Sequence, residues 1–558
     1  MAEEAKEIPE RPKEGEAAAP KDGEEKGPSK KALKKLEKER EKAEKKRLQT
    51  EKDAAAKAAA DANDVSKGDY GDSPIIGSAE YTAPGLKRVD FSTLGELEDG
   101  NEVAVRCVVR NARSQSAKLA FLELREGFHT IQAVIAASET LSRQMVKFVA
   151  SINPESVVDV IGLVKEPKEP VKSATISNRE IHILKIWVVA KAEPQLPIQI
   201  DDAERPLPAE GSEEGASGDD GRPLVGLNTR LDNRVLDLRS MLNHAIMGIK
   251  GGVSRLFEEF MWEHGFQQIW SPKILGAATE GGSNVFELKY FNTSAYLAQS
   301  PQFYKQMLIA ARYKRVFEVG PVFRAENSNT ARHLTEFVGL DLEMEFNEHY
   351  HEVLDFLEDM VLHIFNGLRT RYKKETDLVR SVYKVPEFQL PESGKVPRIP
   401  FSEGIKMLRE AGEELSDYDD LTTPQEKLLG KLVLEKYHTD FYTLDQFPLS
   451  IRPFYTMPSG INPQNSNSYD LFMRGQEIMS GAQRVHDYEL LCKRMRSFEP
   501  PLDPESPGFR SYTSAFKYGC PPHAGGGFGL ERIVMLWLGL PNVRLASLFP
   551  RDPSRIMP

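Results

Sequence analysis

A chain of 558 residues with 40% apolar side chains is long enough for several domains, each with its own core. The formal charge of -11 excludes a wholly basic nucleic-acid binder but not a local basic surface, and the three scattered cysteines (Cys107, Cys492, Cys520) suggest neither a disulfide framework nor a zinc site. No apolar run reaches the roughly 18 residues of a membrane span, and the polar N-terminus lacks a signal-like apolar core, so a cytoplasmic protein with no membrane partner is expected.

Residues 1–75 are rich in Ala, Glu, Lys, Gly and Pro and almost devoid of aromatics, the composition of a disordered or transiently helical extension. Between Ser29 and Arg47 there are ten Lys or Arg against four Glu. Lys31, Lys35, Lys38, Lys42 and Lys45 recur at helical spacing. Two readings stay open: a solvated helical tail, or a salt-sensitive arm for a nucleic-acid backbone in which Lys30, Lys31, Lys34, Lys35 and Lys38 take part.

Residues 76–197 carry short alternating runs at 102–109, 119–124, 130–135, 156–164 and 180–189. Five strands with little helix predict an OB-type barrel. On the second run Ala120, Leu122 and Leu124 share the core face, while Phe121 lies with Glu123 on the other; Gln132 and Glu180 likewise oppose apolar neighbours. An aromatic among polar side chains is either a half-buried strand residue or a stacking platform for bases. Residues 198–235, acidic and rich in Gly, Ser and Pro, read as a linker.

An α+β domain is expected over 236–558. It opens with a helical stretch over 234–265 and carries a mainly helical elaboration at about 350–450. Segments 315–326 and 335–346 read as two strands. Val338, Leu340, Leu342, Met344 and Phe346 make one apolar face of the second, leaving Phe337, Gly339, Asp341, Glu343 and Glu345 on the other. Three like charges on one strand face repel each other, so they call for cations, and a mid-strand glycine calls for a close approach. Arg324 and Glu326 alternate on the partner strand and could meet an anion above the same sheet. The run 525–529, rich in glycine, leads into an apolar helix predicted at 530–538. Arg532 falls in its first turn, where the helix dipole disfavours a cation unless an anion is near. Segment 469–484 reads as a hairpin turning at Arg474-Gly475, with Asp470 and Glu477 as candidate oxygen ligands for Mg²⁺. Neither a P-loop nor a strand-linked G-x-G-x-x-G occurs, so a nucleotide would be held by arginines over a sheet.

The Pro272 segment, Phe323-Arg324-Ala325-Glu326 and Gly529-Leu530-Glu531-Arg532 resemble the three signature motifs of the class II aminoacyl-tRNA synthetases. The order barrel, hinge, catalytic domain resembles subclass IIb, the aspartate, asparagine and lysine enzymes. Ala298 to Lys305, the run 323–346, the ending 548–553 and the basic extension are similar to the eukaryotic cytosolic aspartate enzymes of that family. The resemblance implies a fold of an N-terminal OB barrel plus a catalytic domain built on an antiparallel sheet flanked by helices. It implies ATP and Mg²⁺, L-aspartate and tRNA(Asp) as partners, and a homodimer with Pro272 at its interface.

Residue by residue, the resemblance implies that Arg324 holds the α-phosphate and the amino-acid carboxylate. Glu326, Arg332, His333, Leu334 and the Gly529-Leu530-Glu531-Arg532 motif meet ATP, with Phe337 and Arg532 sandwiching adenine. Asp470, Glu477 and Ser480 meet Mg²⁺. Glu280 closes over aspartate, Gln302 and Asp341 meet its ammonium, and Lys305 and Arg484 pair with its side-chain carboxylate, Arg484 in a bidentate fork. Phe121, Gln132, Glu180, Arg113 and Gln115 read the anticodon, and Ser328 and Thr330 approach the acceptor stem. No side-chain nucleophile is required.

Overall fold

The structure, a computed structural model, describes residues 64–78, 87–208, 217–218, 221–278 and 284–558. The basic arm, Lys30 to Lys38 included, lies outside the described residues. The chain divides into two compact units, one ending at Pro194 and the other beginning at Gln195.

The first unit is a closed barrel. Its strands are β1 (Glu102–Ser116), β2 (Leu119–Glu126), β3 (His129–Ala136), β4 (Val157–Lys165) and β5 (Glu180–Ala190). They run in the order β5-β3-β2-β1-β4, and β4 pairs with β5 to close the cylinder. Alternation works as the sequence predicts: Ala120, Leu122 and Leu124 point into a core with Val103, Val105, Ile131 and Ile181. Helix α1 (Arg143–Ala150) bridges β3 and β4, with the Ser142 hydroxyl accepting from the Met145 amide at its start. Strand β1 runs on to Ser116, well past the expected end at 109. Its second half is exposed and polar, so no apolar rhythm marks it; pairing with β2 forms it instead.

The second unit is built on an antiparallel sheet. Helix α2 (Met241–Glu263) and helix α3 (Gln302–Ala310) precede β6 (Arg315–Phe323) and β7 (Glu336–Glu345). Helix α4 (His351–Arg371), helix α5 (Thr423–Tyr437), β8 (Phe441–Asp445), β9 (Ser468–Met473), β10 (Gln476–Gln483), β11 (His523–Gly529) and helix α6 (Leu530–Leu538) follow. The order is β8-β9-β10-β11-β7-β6, extended at its two edges by Arg398–Pro400 and Gln267–Gln268. Leu340, Leu342 and Met344 turn into a core shared with α2, α4 and α6, which leaves the other face of β7 for Asp341 and Glu343.

Three elements differ from expectation. The stretch 234–265 is not one helix: a short turn Arg234–Asp237 precedes α2, whose N-cap is Ser240. Ser240, extended at ψ 145°, interrupts the helical run, and its hydroxyl accepts from the Asn243 amide to start α2. Residues 350–450, expected to be mainly helical, also supply β8 and Arg398–Pro400 to the main sheet. All five residues of β8 are buried, so no alternation advertises that strand. Strand β6 ends at Phe323, so Arg324 and Glu326 lie beyond it rather than alternating on it; the Arg324 amide still donates to Thr335 O.

Candidate functional site

Gly525, Gly526 and Gly527 form the middle of β11, opposite Glu343, Leu342 and Asp341 of β7. A Cβ on Gly527 would stand 2.8 Å from Asp341 Oδ1, and one on Gly339 would stand 2.7 Å from Asp341 Oδ2. A Cβ on Gly525 would run into Leu342 O and the Glu343 carboxylate. The absent side chains are what allow two carboxylates to lie at the centre of the sheet.

Two cations answer those acids. Lys305 of α3 donates to Asp341 Oδ1 at 3.0 Å and to Leu342 O at 3.3 Å, and stands 3.7 Å from Glu343 Oε2. Arg484, one residue past β10, donates from Nε to Glu343 Oε1 at 3.0 Å, and from Nη2 to Glu343 Oε2 at 3.4 Å and Gly525 O at 3.1 Å. Gln302 Nε2 donates to Glu343 Oε2 at 3.3 Å. All of these side chains are buried. Burial raises the Asp341 pKa more than Lys305 lowers it. Burial works the same way on Glu343, but there Arg484 and Lys305 prevail and hold it below the usual carboxylate range. The bidentate fork of Arg484, expected to take a substrate carboxylate, is already spent on Glu343. Beneath, His523 Nδ1 lies 2.8 Å from Pro521 O and so must donate to it; Nε2 then accepts from Gln306, whose Oε1 accepts from Tyr512. Burial drives the His523 pKa down to about 4.

Arginines gather beside this group. Arg324 sits 5.6 Å over the Phe337 ring and 3.9 Å from Glu326. Arg532 donates from Nη1 to Glu477 O at 2.8 Å. Its pKa is lowered first by burial, with Arg332 and Arg324 adding to the effect against Glu477. Arg332 pairs with Glu426 at 2.8 Å. His333 Nδ1 lies 2.6 Å from Thr330 Oγ1, and its pKa is lowered by burial and by Arg532. Gly529 caps α6. Glu531, expected at ATP, is committed elsewhere: it accepts from Lys250 at 2.8 Å and from the Val338 amide at 3.1 Å.

On the hairpin, Arg474 and Gly475 both take positive φ, the two-residue turn that sets Met473 opposite Gln476; the register then shifts between Leu471 and Phe472. Asp470 Oδ2 accepts from Arg452 at 2.7 Å, while its Oδ1 is buried with no hydrogen-bond partner. Burial lifts the Asp470 pKa to about 7, Arg452 opposing and Glu477 reinforcing. Arg452 also donates to Ser480 Oγ at 2.9 Å and lies 3.9 Å over the Phe447 ring. Among the described residues no cluster of three or more His, Cys, Asp or Glu could hold a metal. Asp470 lies opposite Ser480 across the two strands and feels the Glu477 charge, and an orphaned carboxylate oxygen there fits a hard cation that draws its remaining ligands from phosphates and water.

One open cleft gathers Gln302, Arg324, Glu326, Arg332, His333, Leu334, Phe337, Asp341, Glu477, Ser480, Arg484, Gly529, Glu531 and Arg532. Lys305, Asp470 and Leu530 are buried and do not line it. Glu280 lies outside the described residues. Pro272 is exposed. Ser328 and Thr330 lie on the loop after β6, which Arg544 ties down by donating to Thr330 O at 3.0 Å and Asn329 Oδ1 at 2.6 Å. Sequence reading missed Arg452, Glu426 and Arg544: their partners Asp470, Arg332 and Asn329 are distant in sequence, and no local periodicity marks them.

In the barrel, Phe121 and Arg113 are opposite residues of β2 and β1, the guanidinium 5.4 Å from the ring centre. Gln132 donates to Glu180 at 2.8 Å, and Glu180 also meets His182. A second hollow is lined by Arg113, Phe121, Glu123, Gln132 and Ser173 among others. Gln115 is exposed and outside it.

A sheet whose central strands bear glycines, paired acids and cations, flanked by arginines and lacking any phosphate loop, is the catalytic platform of a class II synthetase. The chain belongs to that family: the model described as tRNA synthetases class II (D, K and N) matches residues 226–553. It is similar to the human protein named "Aspartate--tRNA ligase, cytoplasmic", with 50% identity over 497 residues, covering 89% of this chain and 96% of that protein. The Caenorhabditis elegans protein of the same name is 49% identical over 505 residues, covering 90% and 92%. Among solved structures, the aspartyl-tRNA synthetase from Entamoeba histolytica matches with a TM-score of 0.78 and 43% identity, over 88% of this chain and 96% of that one. An asparaginyl-tRNA synthetase from Pyrococcus horikoshii, complexed with asparaginyl-adenylate, matches with 0.71 and 29%, over 85% and 100%.

Proposed function

We infer that this chain is an aspartate--tRNA ligase. It activates L-aspartate with ATP and transfers the aspartyl group to the 3′-hydroxyl of the terminal adenosine of tRNA(Asp). The aspartate α-carboxylate attacks the ATP α-phosphorus in line, pyrophosphate leaves, and the tRNA hydroxyl then attacks the adenylate carbonyl, releasing AMP. The chain's own work is positioning and charge stabilisation. Arg324 spans the α-phosphate and the attacking carboxylate. Phe337 and Arg532 enclose adenine, and Glu326, Arg332, His333 and Leu334 meet the rest of the nucleotide. Asp341 and Gln302 orient the ammonium, Lys305 and Arg484 take the side-chain carboxylate, and Glu280 closes over it.

Asp470, Glu477 and Ser480 would hold Mg²⁺, which when bound offsets phosphate charge as a Lewis acid. Phe121 and Arg113 supply a stacking surface in the barrel and Gln132, Glu180 and Gln115 polar edges, suited to unstacked anticodon bases. Ser328, Thr330 and the basic arm would add contacts to the acceptor stem and backbone. A homodimer is favoured by Pro272 lying between the exposed Trp270 and Ile274, next to the sheet-edge strand Gln267–Gln268. A cytoplasmic location follows the printed names of the human and nematode relatives.

The observation that carries the reading is the buried Lys305–Asp341–Glu343–Arg484 group meeting an arginine-lined cleft. Amino-acid-dependent ATP–pyrophosphate exchange tests it: aspartate supports exchange and asparagine does not. Equal exchange with both, or none with aspartate, rejects it.

A further inference from the structure

Glu426 belongs to none of the sequence motifs. It sits in the first turn of α5, within the segment between β7 and β8, and is 8% exposed. Its Oε2 accepts from Arg332 Nη1 at 2.8 Å. Among the described residues the Arg332 guanidinium makes no other ion pair.

The carboxylate stands on a fixed base. A capping box between Thr422 and Gln425 closes the start of α5. Further along, Gly430 packs backbone to backbone on Gly475, so that a Cβ on Gly430 would strike Gly475 Cα. A Cβ on Gly475 would stand 2.8 Å from Glu426 O. The helix is therefore braced on the turn that joins the strands carrying Asp470 and Glu477. Arg332, by contrast, sits on the long loop after β6, with 22% of its side chain exposed. An arginine on a loop gives up rotamer freedom when it grips an anion; a pre-set ion pair removes most of that loss beforehand. With one N–H on Glu426, the others remain for the cleft.

We propose that Glu426 is a positioning residue for the nucleotide: it holds Arg332 ready for the ATP phosphates and ties that grip to the hairpin of Asp470 and Glu477. The proposal rests on the functional reading above, which places Arg332 at ATP. The test is ATP–pyrophosphate exchange with the full chain. Glu426→Gln raises KM for ATP about tenfold, the scale of one charge-assisted hydrogen bond, and leaves KM for aspartate and the unfolding midpoint unchanged. Arg332→Ala raises KM for ATP by itself, and adding Glu426→Gln to it changes nothing further. Glu426→Asp, charged but shorter, gives an intermediate KM and serves if the Gln variant does not fold. An unchanged KM for ATP, an equal rise for both substrates, or the same factor in both backgrounds overturns the proposal. Absence of aspartate-dependent exchange in the unaltered protein would instead overturn the functional reading.

Discussion

Replacing Lys305 by Met tests the buried charge group most directly. Met approximates the volume and removes the charge. Lys305 is 1% exposed and meets Asp341 at 3.0 Å and Glu343 at 3.7 Å. Two cations and two acids balance in the native group, so Lys305→Met leaves one buried negative charge unanswered. Breaking such a pair costs about 3–5 kcal/mol. Asp341, already pushed up by burial, relieves part of this by taking a proton. Separately, the charge-assisted hydrogen bond withdrawn from the substrate carboxylate, about 3 kcal/mol at most, corresponds to a fall in kcat/KM for aspartate of about 100-fold. ATP–pyrophosphate exchange, titrated separately in aspartate and ATP, reads it, with KM for ATP moving less than about threefold. Adding Asp341→Asn restores neutrality, so the unfolding midpoint recovers while aspartate use stays lost. Equal losses for both substrates, or aspartate kcat/KM falling less than about tenfold, would refute the argument.

Gly527→Ala puts a methyl 2.8 Å from Asp341 Oδ1. Asp341 must swing off Lys305, and KM for aspartate rises about tenfold or more by loss of that hydrogen-bonded pair. Gly251→Ala in α2, with nothing within 4 Å, is the control and is neutral or stabilising by up to about 1 kcal/mol. His523 has its pKa lowered from 6.5 to about 4 by burial, so in that window the unfolded chain binds a proton the native ring refuses. Its contribution is fully present above pH 6.5 and is lost as pH falls to about 4. Denaturant titrations of wild type and His523→Gln should therefore diverge by about 3 kcal/mol across the window; a flat difference would contradict a neutral native ring. Phe121→Ala raises KM for tRNA in aminoacylation by about 10- to 100-fold and leaves ATP–pyrophosphate exchange untouched, the size expected of a lost stacking platform.

The barrel was legible where its strands have one wet and one dry face: Ala120, Leu122 and Leu124 alternate with Phe121 and Glu123, and the structure buries the first set. The acids of β7 were legible as a demand for cations, and Lys305 and Arg484 answer it from residues 36 and 141 positions away. Helix α6 begins and ends where its apolar run does. What escaped had no local periodicity. The outer half of β1 is polar on both faces, and β8 is buried on both. Glu531 was read with its motif, yet its partners, Lys250 and the Val338 amide, are distant in sequence. Glu426, Arg452 and Arg544 are single charged residues whose meaning comes entirely from where the chain returns.

Specificity for aspartate over asparagine cannot rest on surplus positive charge, because Asp341 and Glu343 already balance Lys305 and Arg484. What remains is a count of donors. A guanidinium has five N–H groups. Arg484 spends Nε and Nη2 on Glu343 and Gly525 O, which leaves the two hydrogens of Nη1. Lys305 spends two of three on Asp341 and Leu342 O, which leaves at most one, with Glu343 Oε2 3.7 Å away and the side chain behind the cleft wall. Unspent N–H groups on these two cations suit a carboxylate, whose oxygens only accept. A side-chain amide would turn an NH₂ toward donors and leave one of them buried and unpaired. Sites of this kind discriminate strongly, because a wrong ligand fails to satisfy polar groups already stripped of water. Glu343 occupies Nε and one N–H of Nη2 of Arg484, so on the reading proposed above the acid that offsets the charge of Arg484 also sets which of its donors is left for the substrate.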